Sequence, residues 1–374
     1  PLADACGEVR YGAEFLRWFA EEAGRTYGET IPSHLPGRKL MVQREPVGVV
    51  GLVTPWNFPF AMLARKASAA LAAGCATVCA PSMEAPFSAL ALAQLGEAAG
   101  LPPGVLSVLT GEPALIVGEI CHSPTVRAVS FTGSTRVGRL IATQCAATFK
   151  RVSLELGGHA PFIAFADVDV DAAAAAAVAA KFQTSGQDCL AANRIFVQRD
   201  IYEPFVAAFA RDAGRLHAQL GPLMNRSVYA NCAGQVADAL NKGARLVLGG
   251  APPDGGSLFF PPTVLADVPG EARIMCEETF GPVAAIAPFD TEAEVIARAN
   301  DTEYGLAAYV FTRDLSRAHH CADALEYGMV GVNAVQITGA PIPFGGVKYS
   351  GLGREGSRYG IDEYTELKYV CVGL

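Results

Sequence analysis

The sequence predicts an α/β protein made of two parallel-sheet units, and three observations carry that expectation. Short β-branched runs alternate with helical stretches from Val47 to Glu155. The same rhythm restarts after Glu155 and runs to Asn333. Hydrophobic residues fill 51% of the 374 positions and charged residues 18%, the balance of a packed globular chain rather than a disordered one. This length accommodates two ordinary domains.

Val47-Gly-Val-Val-Gly-Leu-Val53 reads as a buried strand, and Phe60–Ala73 as a helix closed by Gly74. Ala76–Cys79 is the next strand. Pro86–Ala99 is a helix stopped at Gly100, followed by the strand Val105–Leu109. Ala114–Cys121 gives a third helix, Val126–Phe131 a strand, Thr135–Cys145 a helix and Arg151–Glu155 a last strand. This succession implies a parallel sheet covered by helices on both faces, the architecture of a dinucleotide-binding domain. In the second unit, helices at Ala172–Gln183 and Tyr202–Leu216 flank the strand Arg194–Gln198. A helix at Glu292–Asn300, a strand at Ala307–Thr312, a helix at Leu315–Leu325 and a strand at Met329–Asn333 follow. Gly37–Glu45 and Glu366–Val372 fit neither unit and alternate like exposed strands, whose unpaired edges recruit a partner chain. The expected division is 1–36 with 48–155 for the dinucleotide-binding domain, 156–350 for the catalytic domain, and 37–47 with 361–374 for association strands. No internal repeat is visible.

A net charge of −8 with scattered Lys and Arg argues against a nucleic-acid or anionic-membrane surface. The longest apolar stretch, Asp171–Ala180, is far shorter than the roughly 20 residues that span a bilayer. It reads as a buried Ala-rich helix with Asp171 near its start. The opening Pro1-Leu-Ala-Asp has no signal-peptide pattern, and a cytoplasmic protein is expected. Ten dispersed cysteines without a Cys-x-x-Cys pair suit free thiols in a reducing compartment. His319-His320 point in different directions on a helix, so no metal is expected.

Three residue types then suggest chemistry. Cys189 ends Phe182-Gln-Thr-Ser-Gly-Gln-Asp-Cys189, Glu155 opens Glu-Leu-Gly-Gly158, and Asn57 sits in Pro55-Trp-Asn-Phe-Pro59. A thiolate adds to a carbonyl carbon, an amide N–H stabilises the oxyanion, and a carboxylate deprotonates water. Taken singly, each has a plainer role: a buried thiol, a strand-end charge, a turn residue. Gly133-Ser-Thr-Arg-Val-Gly138 follows a strand and opens a helix, so its N–H groups can meet a pyrophosphate. Gly351-Leu-Gly-Arg-Glu-Gly356 spells a dinucleotide fingerprint, but no buried strand precedes it.

With Glu277-Glu-Thr-Phe-Gly-Pro282, Pro343-Phe-Gly-Gly-Val-Lys348 and Ser350-Gly-Leu-Gly-Arg-Glu355, these words resemble the aldehyde dehydrogenase superfamily from end to end. Arg65-Lys66 and the ending Tyr359–Tyr369 look most like succinate-semialdehyde dehydrogenases. The resemblance implies a Rossmann-like cofactor domain with a parallel sheet, a second α/β catalytic domain and a small β oligomerisation segment. It also implies that the N-terminal part of the family fold is absent from this chain. Arg215–Gly221 looks shortened as well.

The resemblance assigns Cys189 as nucleophile, Glu155 as general base and Asn57 as oxyanion donor, with Lys66 and Glu355 in a proton relay or ordering the site. NAD or NADP would meet Thr54, Pro55, Trp56, Ser82, Gly133, Ser134, Val137, Leu156, Glu278 and Phe280. Arg65, Gln183, Thr338 and Phe344 would line the aldehyde pocket, with Arg65 on a distal carboxylate and Gln183 where a second arginine usually stands. Ala191 replaces a second cysteine of some relatives, which removes a neighbouring disulfide. Ala80-Pro81-Ser82-Met83 departs from the usual Lys-Pro-Ser/Ala-Glu, losing two ribose or phosphate contacts; Glu84 stands one place along. A homodimer or homotetramer is implied. Two alternatives stay open: a cofactor-depleted pseudoenzyme, and a CoA-acylating relative, against which the retention of Glu155 argues.

Overall fold

In the computed structural model of the chain, residues 1–250 and 256–374 are described. They form two compact units. The first comprises Ala5–Leu156, Thr338–Gly345 and Leu352–Leu374; the second comprises Pro1–Asp4, Gly157–Ile337 and Gly346–Gly351. The chain thus changes unit between Leu156 and Gly157, one residue past Glu155. Thr338–Gly345, read from sequence as part of 156–350, packs with the first unit instead.

Helix α1 (Leu2–Glu22) leads to strands β1 (Glu29–Ile31) and β2 (Arg38–Pro46). Then come β3 (Val49–Thr54), α2 (Ala61–Ala72), β4 (Ala76–Pro81), α3 (Phe87–Ala98) and β5 (Leu106–Val108). They are followed by α4 (Pro113–His122), β6 (Val126–Thr132), α5 (Thr135–Ala146) and β7 (Arg151–Glu155). Strand β3 is nearly all apolar because both faces are covered. The parallel order is β7-β6-β3-β4-β5. The chain steps outward from β3 to β5, then returns to the other side of β3 with β6. That reversal opens a crevice at the carboxyl ends of β3 and β6, where open α/β sheets take their ligands. Gly74, at φ +88°, ends α2 as its position predicts.

The second unit runs β8 (Ala160–Ala164), α6 (Val170–Phe182), β9 (Ala192–Gln198), α7 (Tyr202–Gly214) and α8 (Arg226–Asn241). It continues with β10 (Arg245–Leu248), β11 (Thr263–Ala266), α9 (Arg273–Cys276), β12 (Val283–Phe289) and α10 (Glu292–Asn300). The last three elements are β13 (Ala307–Phe311), α11 (Leu315–Ala324) and β14 (Met329–Val332). The sheet order is β10-β11-β12-β9-β8-β13-β14, parallel except at β10–β11. Strands β1, β8, β10, β11 and β12 and helices α1, α8 and α9 had no counterpart in the sequence reading. The α6 cap is Asp169, whose side chain accepts from Ala172 N, while Asp171 lies inside the first turn. Among the described residues no helix is long and apolar enough to cross a membrane.

The C-terminal segment adds β15 (Gly351–Leu352) and β16 (Thr365–Gly373). The two segments expected to present unpaired edges pair with each other. β16 runs antiparallel to β2 from Thr365↔Pro46 to Gly373↔Arg38, giving the order β1-β2-β16. Each strand satisfies the other's backbone groups, so β2 is interior and β16 stands at the sheet's end.

Gly51, on β3, has no room for a side chain: a Cβ there would lie 2.2 Å from Ile120 Cγ2 of α4. Gly51→Ala should therefore overpack the helix against the sheet and cost about 1–3 kcal/mol. Denaturant unfolding of the variant checks this, and wild-type stability would contradict the packing.

Candidate active site

In the first unit the expected nucleotide residues gather at the carboxyl ends of the parallel strands. Thr54 closes β3 and is buried, with Pro55, Trp56 and Asn57 half-buried in the loop that leads to α2. Ser82 follows β4 and its N–H donates to Thr54 O at 3.0 Å. Gly133 follows β6, and its N–H donates to Glu155 O, at the end of β7, at 3.0 Å. Ser134 caps α5 by accepting from Val137 N at 3.4 Å. Gly138 lets Leu156 pack onto this helix, since a Cβ would lie 2.3 Å from Leu156 Cδ2. The loop after β3 is fixed by a residue that sequence reading missed. Glu8 of α1 accepts from Phe60 N at 2.7 Å and Ala61 N at 2.8 Å, capping α2. Fifty-two positions separate Glu8 from Phe60, so no local pattern announces it.

A buried charge cluster lies on α2. Arg65 Nε is 2.5 Å from Glu355 Oε2, with side chains 1% and 4% exposed. Lys66, wholly buried, donates to the other Glu355 oxygen and to Ser130 Oγ of β6 at 2.9 Å. Arg65 also lies 4.1 Å from the centroid of the Phe344 ring, a cation–π contact. Phe344 and Glu355 exchange backbone hydrogen bonds of 2.8 Å, which clamps the segment. Burial depresses the Lys66 ammonium, while Glu355 opposes that. Glu155 is 2% exposed, and neither of its carboxyl oxygens has a hydrogen-bond partner. Burial and then the Glu355 charge hold its pKa well above the usual carboxylate range, against Arg65, Lys66 and Arg354. The structure thus gathers Glu155, Lys66, Glu355, Arg65 and Phe344 by electrostatics and contact. Arg65, expected to face a substrate carboxylate, has its guanidinium on Glu355 and over the Phe344 ring. Thr338 is half-buried in the same unit.

In the second unit Cys189 is partly exposed on the loop after α6. Left-handed backbone begins before the glycine: Thr184 has φ 48°, Ser185 φ 59° and Gly186 φ 72°. Such non-glycine residues cost of order 1–3 kcal/mol each and persist where surroundings enforce them. Ser185 Oγ donates to Gly221 O at 3.0 Å, and Gln187 Oε1 accepts from Met224 N at 2.8 Å. Asp188 Oδ1 accepts from Leu190 N at 2.9 Å, folding a turn around the thiol. Gly158 backs this turn, because a Cβ there would sit 2.1 Å from Cys189 O. Gly158 N donates to Glu278 Oε1 at 2.9 Å. Glu278 is raised to about 7, mainly by burial. Phe280 is held at φ 52°. Gln183 caps α6 with an exposed side chain.

The first unit fits a dinucleotide. The twelve-residue α5 presents its N-terminus directly after β6, and the dipole and free N–H groups of such an end suit a pyrophosphate. Where the usual lysine and glutamate are missing, Ala80 is buried, and Met83 Sδ accepts from Gly111 N at 3.2 Å. Met83 therefore serves the loop. Gly351–Gly356 forms a short strand and a turn, not a strand–helix junction. No cluster of metal-binding side chains occurs among the described residues.

Removing the anion of the buried cluster should be costly. Glu355→Ala leaves Arg65 and Lys66 facing each other without water, which should destabilise the fold by about 3–5 kcal/mol. Denaturant titration measures this; a loss below about 1 kcal/mol, the range of exposed pairs, would contradict the burial.

The aldehyde dehydrogenase family matches residues 1–370. The Escherichia coli protein named NADP(+) succinate-semialdehyde dehydrogenase is 51% identical over 382 residues, covering 100% of this chain and 79% of its own. The Halomonas elongata protein named aspartate-semialdehyde dehydrogenase (non-phosphorylating) is 55% identical over 381 residues, covering 100% and 77%. The crystal structure of an E. coli NADP dependent enzyme superposes with a TM-score of 0.98 at 51% identity, covering 100% of this chain and 79% of that one. With a match that runs nearly from end to end and identities of about half, this chain belongs to the aldehyde dehydrogenase family and is an enzyme.

Proposed function

We propose that the enzyme oxidises a short aldehyde bearing an acid group, succinate semialdehyde or a close semialdehyde acid, to the corresponding carboxylic acid with NAD or NADP. The observation that carries this reading is the cluster on α2, where two buried cations share one carboxylate. An anionic substrate suits the charge left over. The relatives named for succinate and aspartate semialdehydes support it, since both aldehydes carry a carboxylate.

Cys189 adds as thiolate to the aldehyde carbon, forming the carbon–sulfur bond of a thiohemiacetal. The Asn57 amide and the Cys189 N–H stabilise the oxyanion. The family uses NAD(P), and the oxidised nicotinamide, when bound, supplies acceptance of a hydride. Thr54, Pro55, Trp56, Ser82, Gly133, Ser134, Val137 and Leu156 would hold the cofactor's nucleotide end, and Glu278 and Phe280 its nicotinamide end. Glu155 takes a proton from the water that attacks the Cys189 thioester, releasing acid and thiolate. Its burial suits the task, because a base whose pKa lies nearer the working pH transfers protons more effectively. Lys66 and Glu355 hold the charge around it. Phe344 and Thr338 line the aldehyde pocket, and the open edge of β16 carries assembly into a homodimer or homotetramer in the cytoplasm.

Cys189→Ala should abolish turnover, and substantial residual turnover would defeat the mechanism. Glu155→Gln should keep a stoichiometric burst of reduced cofactor while steady-state turnover falls by roughly 100- to 10,000-fold. In wild type, deacylation should rise with pH as Glu155 ionises through its elevated pKa, a limb that Glu155→Gln lacks. Product formed only in the presence of coenzyme A would replace hydrolysis by thiolysis.

Substrate choice is read from Arg65 together with Gln183. Gln183→Arg should raise kcat/KM for succinate semialdehyde by roughly 5- to 30-fold, the worth of replacing a neutral hydrogen bond by an ion pair, with butyraldehyde unaffected. An acid-to-neutral ratio unchanged in this variant and in Arg65→Lys would remove both residues from the pocket and the semialdehyde assignment with them.

A further inference from the structure

Lys181 stands on the last turn of α6, eight positions before Cys189, with none of its surface exposed. Its ammonium donates to Asn193 Oδ1 of β9 at 2.7 Å. The Asn193 amide makes a long 3.5 Å contact to Gly158 O, and Gly158 N donates to Glu278. The Cys189 carbonyl lies against the same glycine. A single chain of contacts therefore joins a buried cation to the nucleophile's turn and to the Glu278 carboxyl.

The charges around Lys181 come from every element packed on it. Cys232 of α8, Glu278 and Asp188 face it, and His159 feels its field. Burial pushes the Cys232 thiol up to about 12, so it is neutral. Burial and then Arg194 hold His159 well below the usual histidine range, so it is neutral too. Glu278 and Asp188 are the acidic neighbours. A buried ammonium whose hydrogen-bond partner is a neutral amide is expensive without nearby negative charge. Burial lowers Lys181 to about 8, and these neighbours oppose that. For Glu278, burial and Asp188 raise the pKa, whereas Gly158 N and Lys181 lower it.

We propose that Lys181 is a positioning residue for the oxidation, its charge keeping Glu278 ionised and its hydrogen bond to Asn193 steadying the Gly158 turn against Cys189. This rests on the reading of Glu278 as the carboxylate that holds the nicotinamide ribose. An ionised carboxylate accepts short charge-assisted bonds from ribose hydroxyls that a protonated one does not. Without Lys181 the Glu278 pKa rises, so cofactor affinity is lost at neutral pH and returns as pH rises past the new midpoint.

The test uses Lys181→Met, which removes charge and donor, and Lys181→Gln, which keeps a donor for Asn193 and so protects folding. The Glu278 carboxyl is followed by carbon-13 NMR, assigned with Glu278→Gln, and NAD and NADP are titrated calorimetrically across neutral pH. Both Lys181 variants should raise the Glu278 midpoint by about one pH unit and weaken cofactor binding about tenfold below that midpoint, with recovery above it. An unmoved midpoint, or an affinity loss equal at every pH, would overturn the proposal. If Glu278→Gln binds cofactor as tightly as wild type, the ribose reading fails, whatever the Lys181 variants do. If Glu278→Gln weakens binding and the Lys181 midpoints stay in place, the Lys181 proposal alone fails.

Discussion

Glu355 carries two cations, Arg65 and Lys66, in a place where none of the three reaches water. Ions out of water cost several kcal/mol each unless geometry and hydrogen bonds return it, so every element around them is constrained. The carboxylate takes one cation on each oxygen, Ser130 of β6 receives Lys66, and Phe344 covers Arg65. Helix α2, strand β6 and the Phe344–Glu355 segment are fixed together by that requirement. Glu155 inherits it: its pKa is set by burial and Glu355 pushing up and by three cations pulling down. A carboxyl of this kind is tuned by neighbours, not by its own hydrogen bonds, for it has none.

The second unit holds its proposed nucleophile differently. Around Cys189 the cost falls on the backbone. Thr184 and Ser185 adopt left-handed conformations ahead of Gly186, and a Cβ on Gly186 would lie 2.3 Å from Gly281 O. Only at the third position does the sequence yield to the strain by placing a glycine. The other two are held by what they touch, Ser185 Oγ by Gly221 O and the Thr184 carbonyl by Gln187 N. Strain that persists against side-chain preference collects where a functional group must be aimed.

These two devices differ in how far the sequence discloses them. Glycine stops and β-branched runs are local, so the ends of β7 and α10 could be read to the residue. Strands β8, β11 and β12 escaped because short apolar runs carry no period that separates strand from buried helix. Helix α8 is marked by Asn225, whose side chain accepts from Ser227 and Val228, a cap signal available in the sequence but unused. Pairing is another matter. Lys66 and Glu355 lie 289 positions apart, and the β2–β16 ladder joins the two ends of the chain. Each strand alone looks like an exposed edge, and nothing local states that they close on each other. The Arg65 pair shows the same limit: its carboxylate partner, Glu355, is remote in sequence and near in space.

The nucleotide end completes the argument about charge. Where relatives of this type usually place a lysine and a glutamate, Ala80 is buried and Met83 gives its sulfur to a backbone N–H of the next loop. A thioether is a weak acceptor and carries no charge. On the proposed reading, Ala80 and Met83 therefore offer neither a carboxylate to repel a 2′-phosphate nor an ammonium to attract one, and Glu84 is the acid nearest in sequence. Discrimination between NAD and NADP then depends on weaker contacts, while affinity rests on the N-terminus of α5 and on Glu278. On that reading the ionisation of one half-buried carboxyl, which burial opposes, carries more of the cofactor contact. Lys181, a buried cation on the helix ahead of the proposed nucleophile, is placed to favour that ionisation on the proposed reading.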